Sequence, residues 1–158
     1  MISRWFDFDP FANRMKKSAG VIIILNRHKM LFCHPANSKW FGTYSFPKGG
    51  LEKGESEIDA ALRELREESS VVVSKSQISN IKNPIIVDYV NRKGDRKYKQ
   101  LYLYTVYIND ISEIGLDSEI IPTEKLQMEE IDWCGFLSKE EAKPRIFHRV
   151  VHLLDMIN

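Results

Sequence analysis

From Gly49 to Val71 the chain reads GGLEKGESEIDAALRELREESSV, and Glu64, Glu67 and Glu68 stand in it at offsets of zero, three and four. On a helix of about 3.6 residues per turn those offsets share one face. Three carboxylates on one face repel each other and stay ionised cheaply only around a cation. Hard carboxylate oxygens select Mg²⁺ or Mn²⁺ for that place. The stretch predicts a divalent-metal site carried on a helix.

The flanking residues agree with that reading. Ile58, Ala61, Leu62 and Leu65 occupy a neighbouring arc that can pack into a core, so one side of the helix is buried and the other charged. Ser56 followed by Asp59 approximates a capping box, with Glu55 and Glu57 adding negative charge near the N-terminus. Ahead of the helix, Phe46-Pro47-Lys48-Gly49-Gly50 and Gly54 predict an irregular loop, whose backbone can approach a metal or a phosphate closely. The same charges would also suit an ordinary surface helix, where Glu/Arg pairs contribute only a few tenths of a kcal/mol each. The glycine loop at fixed distance from the acids argues against that simpler picture.

Gly49, Glu55 and the run Arg63-Glu64-Leu65-Arg66-Glu67-Glu68-Ser69-Ser70-Val71 resemble the Nudix box. Its pattern is Gly, five residues, Glu, seven residues, then Arg-Glu-apolar-any-Glu-Glu-any-Gly-apolar. Every charged position matches. Ser70 stands where the family has glycine, at the helix C-terminus, where a left-handed residue is usual and serine costs about 1 kcal/mol. The resemblance implies an α/β (α+β) domain built as an α/β/α sandwich with a mixed central sheet. The order of strands and helices alone says only α+β. It further implies metal ligation by Glu64, Glu67 and Glu68, aided by the carbonyl of Gly49. It makes Glu64 or a loop acid the base, and it pairs Glu55 with Arg63, which is then a scaffold residue of the catalytic set.

The 158 residues suit one domain with a real core, and the 43% hydrophobic and 28% charged content is that of a globular chain. We read residues 1–16 as an N-terminal arm, with Trp5, Phe6, Phe8 and Phe11 docking it, and 17–158 as a single domain. A net charge of +1 gives no global pull toward nucleic acid or membrane, so recognition must come from local clusters. Cys33 and Cys134 lie in apolar segments without metal or redox spacing. No apolar run reaches the roughly 18 residues a membrane span needs. With an N-terminus unlike a signal peptide, this predicts a cytoplasmic protein with no membrane partner.

In chain order, Ala19–Leu25 and Met30–His34 predict a hairpin, and Tyr44–Phe46 a short strand leading into the glycine loop. Val71–Val73, Ile85–Val90 and Gln100–Ile108 read as strands. Between the last two lies a basic turn in which Arg92, Lys97 and Lys99, together with Lys48 of the glycine loop, are candidates for holding phosphates. Alternation puts Lys97 and Lys99 on the same side. Residues 109–129 predict a long acidic loop, in which Asp117, Glu119, Glu124 or Glu129 is open as a further ligand or base. Glu130–Leu137 reads as a final strand and Ser138–Glu141 as the cap of a short helix. Pro144 suits a first helical position, and Phe147, Val150, Val151 and Leu154 predict a closing amphipathic helix.

The chemistry implied is Mg²⁺- or Mn²⁺-dependent attack of water on a phosphoanhydride in a nucleoside diphosphate linked to another group. The glycine loop with Gly54-Glu55 is similar to that of diadenosine polyphosphate and diphosphoinositol polyphosphate hydrolases. A nucleotide or another polyphosphorylated small molecule is therefore the expected partner. RNA 5′ ends and ADP-ribose are the enzymatic alternatives. A nucleotide-binding module without turnover is the non-enzymatic one, against which the intact box acids stand.

Overall fold

The apolar run after Lys17 becomes the axis of the sheet. The last eight residues of strand β1 (Lys16–Leu25) are all buried, which requires neighbours on both edges and both faces. Strand β2 (Lys29–Pro35) returns antiparallel through a tight turn, with Asn26 and Arg27 both in left-handed backbone. The three-residue strand β3 (Lys48–Gly50) pairs antiparallel with Ser18–Gly20 at the opposite end of β1. Strands β4 (Ile85–Val90) and β5 (Lys97–Ile108) form the basic hairpin, and β5 runs parallel to β1 from Lys16↔Lys99 to Leu25↔Ile108. Strand β6 (Ile131–Ser138) closes the order β4-β5-β1-β2-β6, a mixed sheet with β3 against β1. This computed structural model describes residues 15–158, so the expectation for Trp5, Phe6, Phe8 and Phe11 lies outside the described residues.

Period-two alternation along β1 divides the core. Val21, Ile23 and Leu25 pack with Ala61 and Leu65 of helix α1 (Glu57–Ser69) and with Tyr104 and Val106 of β5. Ile22 and Ile24 pack on the other face with Phe32, Leu101, Leu103, Leu153 and Leu154. Helix α2 (Lys139–Ala142) and a 3₁₀ helix at His148–Met156 cover that side, giving the α/β/α layering. Each fully buried Ile or Leu stabilises the fold by about 1.5–3 kcal/mol relative to exposure.

Several local expectations change. The glycine loop is ordered as β3, because Lys48–Gly50 finds free pairing positions on β1. Val71–Val73 is extended but unpaired: Val71 and Val73 are buried and Val72 is exposed, so burial alternates without a ladder. Tyr44 and Ser45 make only isolated bridges, to Ile146 and Cys33. Pro144 lies in the turn after α2, and the closing segment is a 3₁₀ rather than an α-helix. With three residues per turn, Val150 and Leu153 stack toward the core. The acidic 109–129 segment contains short turns at Ile111–Ile114 and Thr123–Lys125, and is anchored by buried Ile114 and Ile121. Among the described residues no helix is long and apolar enough to cross a membrane.

Candidate active site

Helix α1 is started and stopped by its own side chains. Ser56 Oγ accepts from the Asp59 amide at 3.2 Å, and Glu57 and Asp59 place negative charge at the positive end of the helix. At the other end Ser70 takes the left-handed conformation (φ 64°) that the box pattern normally gives to glycine. Its Oγ donates to the Lys125 carbonyl at 2.5 Å, a bond glycine cannot make, which offsets part of the backbone strain.

The buried flank of α1 lies beside β3, and consecutive residues of β3 meet the box. The Lys48 amide donates to Glu68 Oε1 at 3.2 Å, and the Gly50 carbonyl accepts from Arg63 Nη2 at 2.9 Å. Between them, a Cβ added at Gly49 would fall 1.8 Å from Glu64 Oε2. Glycine is required there by close approach, since the carboxylate occupies the space of a side chain.

Arg63 is held as the box resemblance implies. Glu55 accepts from its Nε at 2.8 Å and its Nη2 at 2.9 Å, and the Glu52 amide fixes Glu55 in turn at 2.9 Å. This bidentate pair holds the Glu55 carboxyl below, and the Arg63 guanidinium above, their usual ranges. Arg63 also reaches Glu64 at 3.4 Å and Glu67 at 3.1 Å. Here the expectation of three converging carboxylates needs correction. Glu67, 40% exposed, is turned to Arg63, which supplies its counter-charge. Among the described residues no three His, Cys, Asp or Glu side chains gather tightly enough to be a metal cage as they stand.

Glu64 and Glu68 lie one turn apart on α1, and the charge of Glu130 reaches both. Burial, then the charge of Glu64, pushes the Glu68 carboxyl up to about 8, with Glu130 adding to the rise. Burial also raises Glu64, with Glu67 and Glu130 pushing the same way against Arg63. Glu68, Glu130, Lys48, Cys33 and Ser45 line a cavity of about 220 Å³. A buried carboxylate opposed by two others suits a divalent cation, which would remove the repulsion that now favours its proton. Glu130 was read as the first residue of β6. Its signal was position: it ends the acidic loop where the chain returns to the sheet, with its carbonyl accepting from the Ala36 amide at 2.8 Å. Of the loop acids considered, Glu119 is bound to Lys29 at 2.8 Å.

The candidate phosphate-binding residues separate. Lys99 lies over the Tyr89 ring at 4.9 Å, and burial together with the ammonium groups of Lys48 and Lys16 pushes its pKa down. Lys97 instead pairs with Asp88 at 3.1 Å. Asp88 and Tyr89 are consecutive strand residues with opposite faces, so Lys97 and Lys99 do not share a side as alternation suggested; the register shift at Tyr89/Val90 is the cause. Arg92 is exposed at the hairpin tip. Cys33 and Cys134 are free and buried, with sulfurs 3.1 Å apart.

The family model for the NUDIX domain matches residues 14–150. The chain belongs to the NUDIX family. A curated relative, RNA pyrophosphohydrolase of Erythrobacter litoralis (strain HTCC2594), is 39% identical over 59 residues, 37% of this chain and 35% of that protein. Over about nine-tenths of its length the fold is shared with solved structures at low identity. The Ap4A hydrolase of C. elegans in a binary complex has a TM-score of 0.63 and 20% identity, covering 90% of this chain and 94% of that one. A MutT NUDIX hydrolase from Burkholderia pseudomallei has a TM-score of 0.65 and 13% identity, covering 92% and 100%. These matches show the NUDIX family and its mixed-sheet fold.

Proposed function

We propose that this NUDIX hydrolase is a Mg²⁺- or Mn²⁺-dependent pyrophosphohydrolase. It splits a phosphoanhydride bond in a nucleoside diphosphate linked to another group, and a dinucleoside polyphosphate is the substrate class that suits it best. The observation carrying this reading is the juxtaposition across β3 of half-buried Glu64 and buried Glu68 with Lys48 and Lys99. Acids alone would suit a metal store and bases alone an anion binder. Side by side they suit a metal-bound polyphosphate.

Glu64 and Glu68 would hold the ion, with Glu67 swinging from Arg63 and the Gly49 carbonyl completing the set. Bound there, the ion would neutralise the diphosphate and acidify an attacking water. The chain's own residues do the rest. Glu55 fixes Arg63, and Arg63 clamps the Gly50 carbonyl and so the strand that carries Gly49. Glu64, or Glu130 at the end of the acidic loop, would take the water's proton. Lys48 and Lys99 hold phosphate oxygens, with Lys97 and Arg92 nearer the tip. The reaction is set for the cytoplasm, where such nucleotides and Mg²⁺ coexist. The domain that begins with β1 at Lys16 is the working unit, with the residues before it as an arm.

RNA 5′ ends are the second reading, favoured by the similarity to an RNA pyrophosphohydrolase over 59 residues. A panel of diadenosine polyphosphates, ADP-ribose, nucleoside triphosphates, diphosphoinositols and 5′-triphosphate RNA, ranked by kcat/KM with Mg²⁺ or Mn²⁺, decides between them. The dinucleoside polyphosphates should lead the ranking. If wild-type protein turns over none of the panel with either metal, the chain is a binding module and the enzymatic reading is wrong.

A further inference from the structure

A second cavity, about 740 Å³, opens on the other side of β3 and is lined by Lys16, Ser18, Gly50, Arg96, Tyr98 and Lys99. The parallel pairing of β1 with β5 sets Lys16 directly beside Lys99, and Ser18 lies between Gly50 and Leu101 in the same sheet. Among the described residues, none of Lys16, Arg96 and Lys99 has a carboxylate partner within ion-pair distance. Three unneutralised cations around one hollow repel each other, and an anion is the ligand that reverses that cost.

Ser18 points independently to a ligand. The residue is 3% exposed, and its buried Oγ finds no hydrogen-bond partner among the described residues. Such an orphaned buried hydroxyl costs free energy unless something enters the hollow to bond it. A phosphate oxygen has the charge for the cations and the acceptor for the hydroxyl. Gly50, which borders the hollow, directly follows the residue packed against Glu64.

We propose that Lys16, Arg96 and Ser18, with Lys99, form a metal-independent subsite for the phosphates of the substrate that lie beyond the bond being cleaved, selecting substrates with a long phosphate chain. The subsite rests on the pyrophosphohydrolase reading for its purpose but not for its binding chemistry. Phosphates nearest the reacting bond lie with Glu64 and Glu68 and need the metal. Those further along lie with Lys16, Arg96 and Ser18 and do not.

The test is calorimetry of inorganic tripolyphosphate binding to the full chain in EDTA, followed by kinetics on a series of dinucleoside polyphosphates of increasing phosphate number. Lys16→Gln combined with Arg96→Gln should weaken tripolyphosphate binding about tenfold, as loss of charge-assisted bonds does. Ser18→Ala should weaken it about threefold. The same variants should raise KM for the longest-chain substrates while kcat stays within about twofold, and leave the shortest almost untouched. Lys82→Gln, a change on an exposed lysine elsewhere, should alter neither. Wild type that does not bind tripolyphosphate, or variants with unchanged binding and chain-length preference, would overturn the subsite. If binding responds as expected but no substrate is hydrolysed, the subsite stands and the enzymatic reading falls. If hydrolysis occurs and ignores Lys16, Arg96 and Ser18, the reverse holds.

Discussion

Two hollows flank β3, and they are built in opposite ways. Of the acids around the acidic one, Glu64 and Glu68 come from a single helix, one turn apart, and Glu130 from the chain just before β6, while Lys48, Cys33 and Ser45 also line it. The basic one is assembled by the sheet: Lys16 and Ser18 from β1, Gly50 from β3, Arg96 and Lys99 from the far hairpin. Local spacing creates the first and long-range register the second. A site made by spacing survives as long as its helix does, whereas a site made by register also depends on which strands pair.

The sharpest way to break the comparison is to neutralise one hollow at a time. Glu64→Gln should lower kcat by about 10²–10⁴, as removal of a positioned acid or base does, with a normal far-UV spectrum. Lys16→Gln with Arg96→Gln should act on KM instead. If the single and the double variant lowered kcat alike, the two hollows would be one site.

Gly49→Ala comes next, because it attacks the boundary between the hollows. With Glu64 Oε2 at 1.8 Å from where the new Cβ would sit, carboxylate or strand must move by about an ångström, enough to cost about 10²-fold in rate. Tripolyphosphate affinity should change far less, since Gly50 and Ser18 stay paired. Equal loss of both would show that β3 itself had detached.

These contrasts explain how much of the molecule was legible beforehand. The shared face of the box acids and the core face of α1 follow from intervals along one helix, whereas the Glu55–Arg63 pair follows only from the resemblance to the Nudix box. Lys16 was assigned to an arm because nothing in its own neighbourhood ties it to Lys99; only the parallel β1–β5 ladder does. Lys97 was misplaced by a one-residue register shift that no local pattern reveals. Glu130 was hidden by its dual position, last of a loop and next to a strand. Glu67 occupies its box position, but its side chain answers Arg63, a choice of partner that helical spacing does not decide.

Protonation gives a further separation. Glu68 is held up at about 8 against an ordinary 4.5, so the folded chain binds its proton more tightly than the unfolded one. The stability this provides is fully present below about pH 4.5 and is lost as pH rises through about 8. In EDTA the melting temperature should therefore drop by several degrees between about pH 5 and about pH 8. Glu68→Gln should flatten that slope, and Mg²⁺ should restore stability at the alkaline end. A slope that persists in Glu68→Gln would place its origin outside the acidic hollow. Lys16→Gln should leave the slope intact.

The smallest expected effect concerns Ser70, which links the C-terminus of α1 to the segment leading to Glu130. Ser70→Gly relieves a left-handed serine, a gain of about 1 kcal/mol. It also removes the bond from Oγ to the Lys125 carbonyl, a loss of similar size. Stability measured by urea unfolding should move by less than about 0.5 kcal/mol. Ser70→Ala keeps the strained backbone and loses the bond, so it should cost about 1 kcal/mol. Lys125 begins the segment that returns the chain to Glu130, with the Glu130 and Ile131 amides both donating to the Gln127 carbonyl. Freeing Lys125 should therefore loosen Glu130 and lower kcat a fewfold while Glu64 and Glu68 keep their places. If Ser70→Gly instead raised stability by a full kcal/mol with kcat unchanged, the tie to Lys125 would carry no weight, and Glu130 would be held by β6 alone.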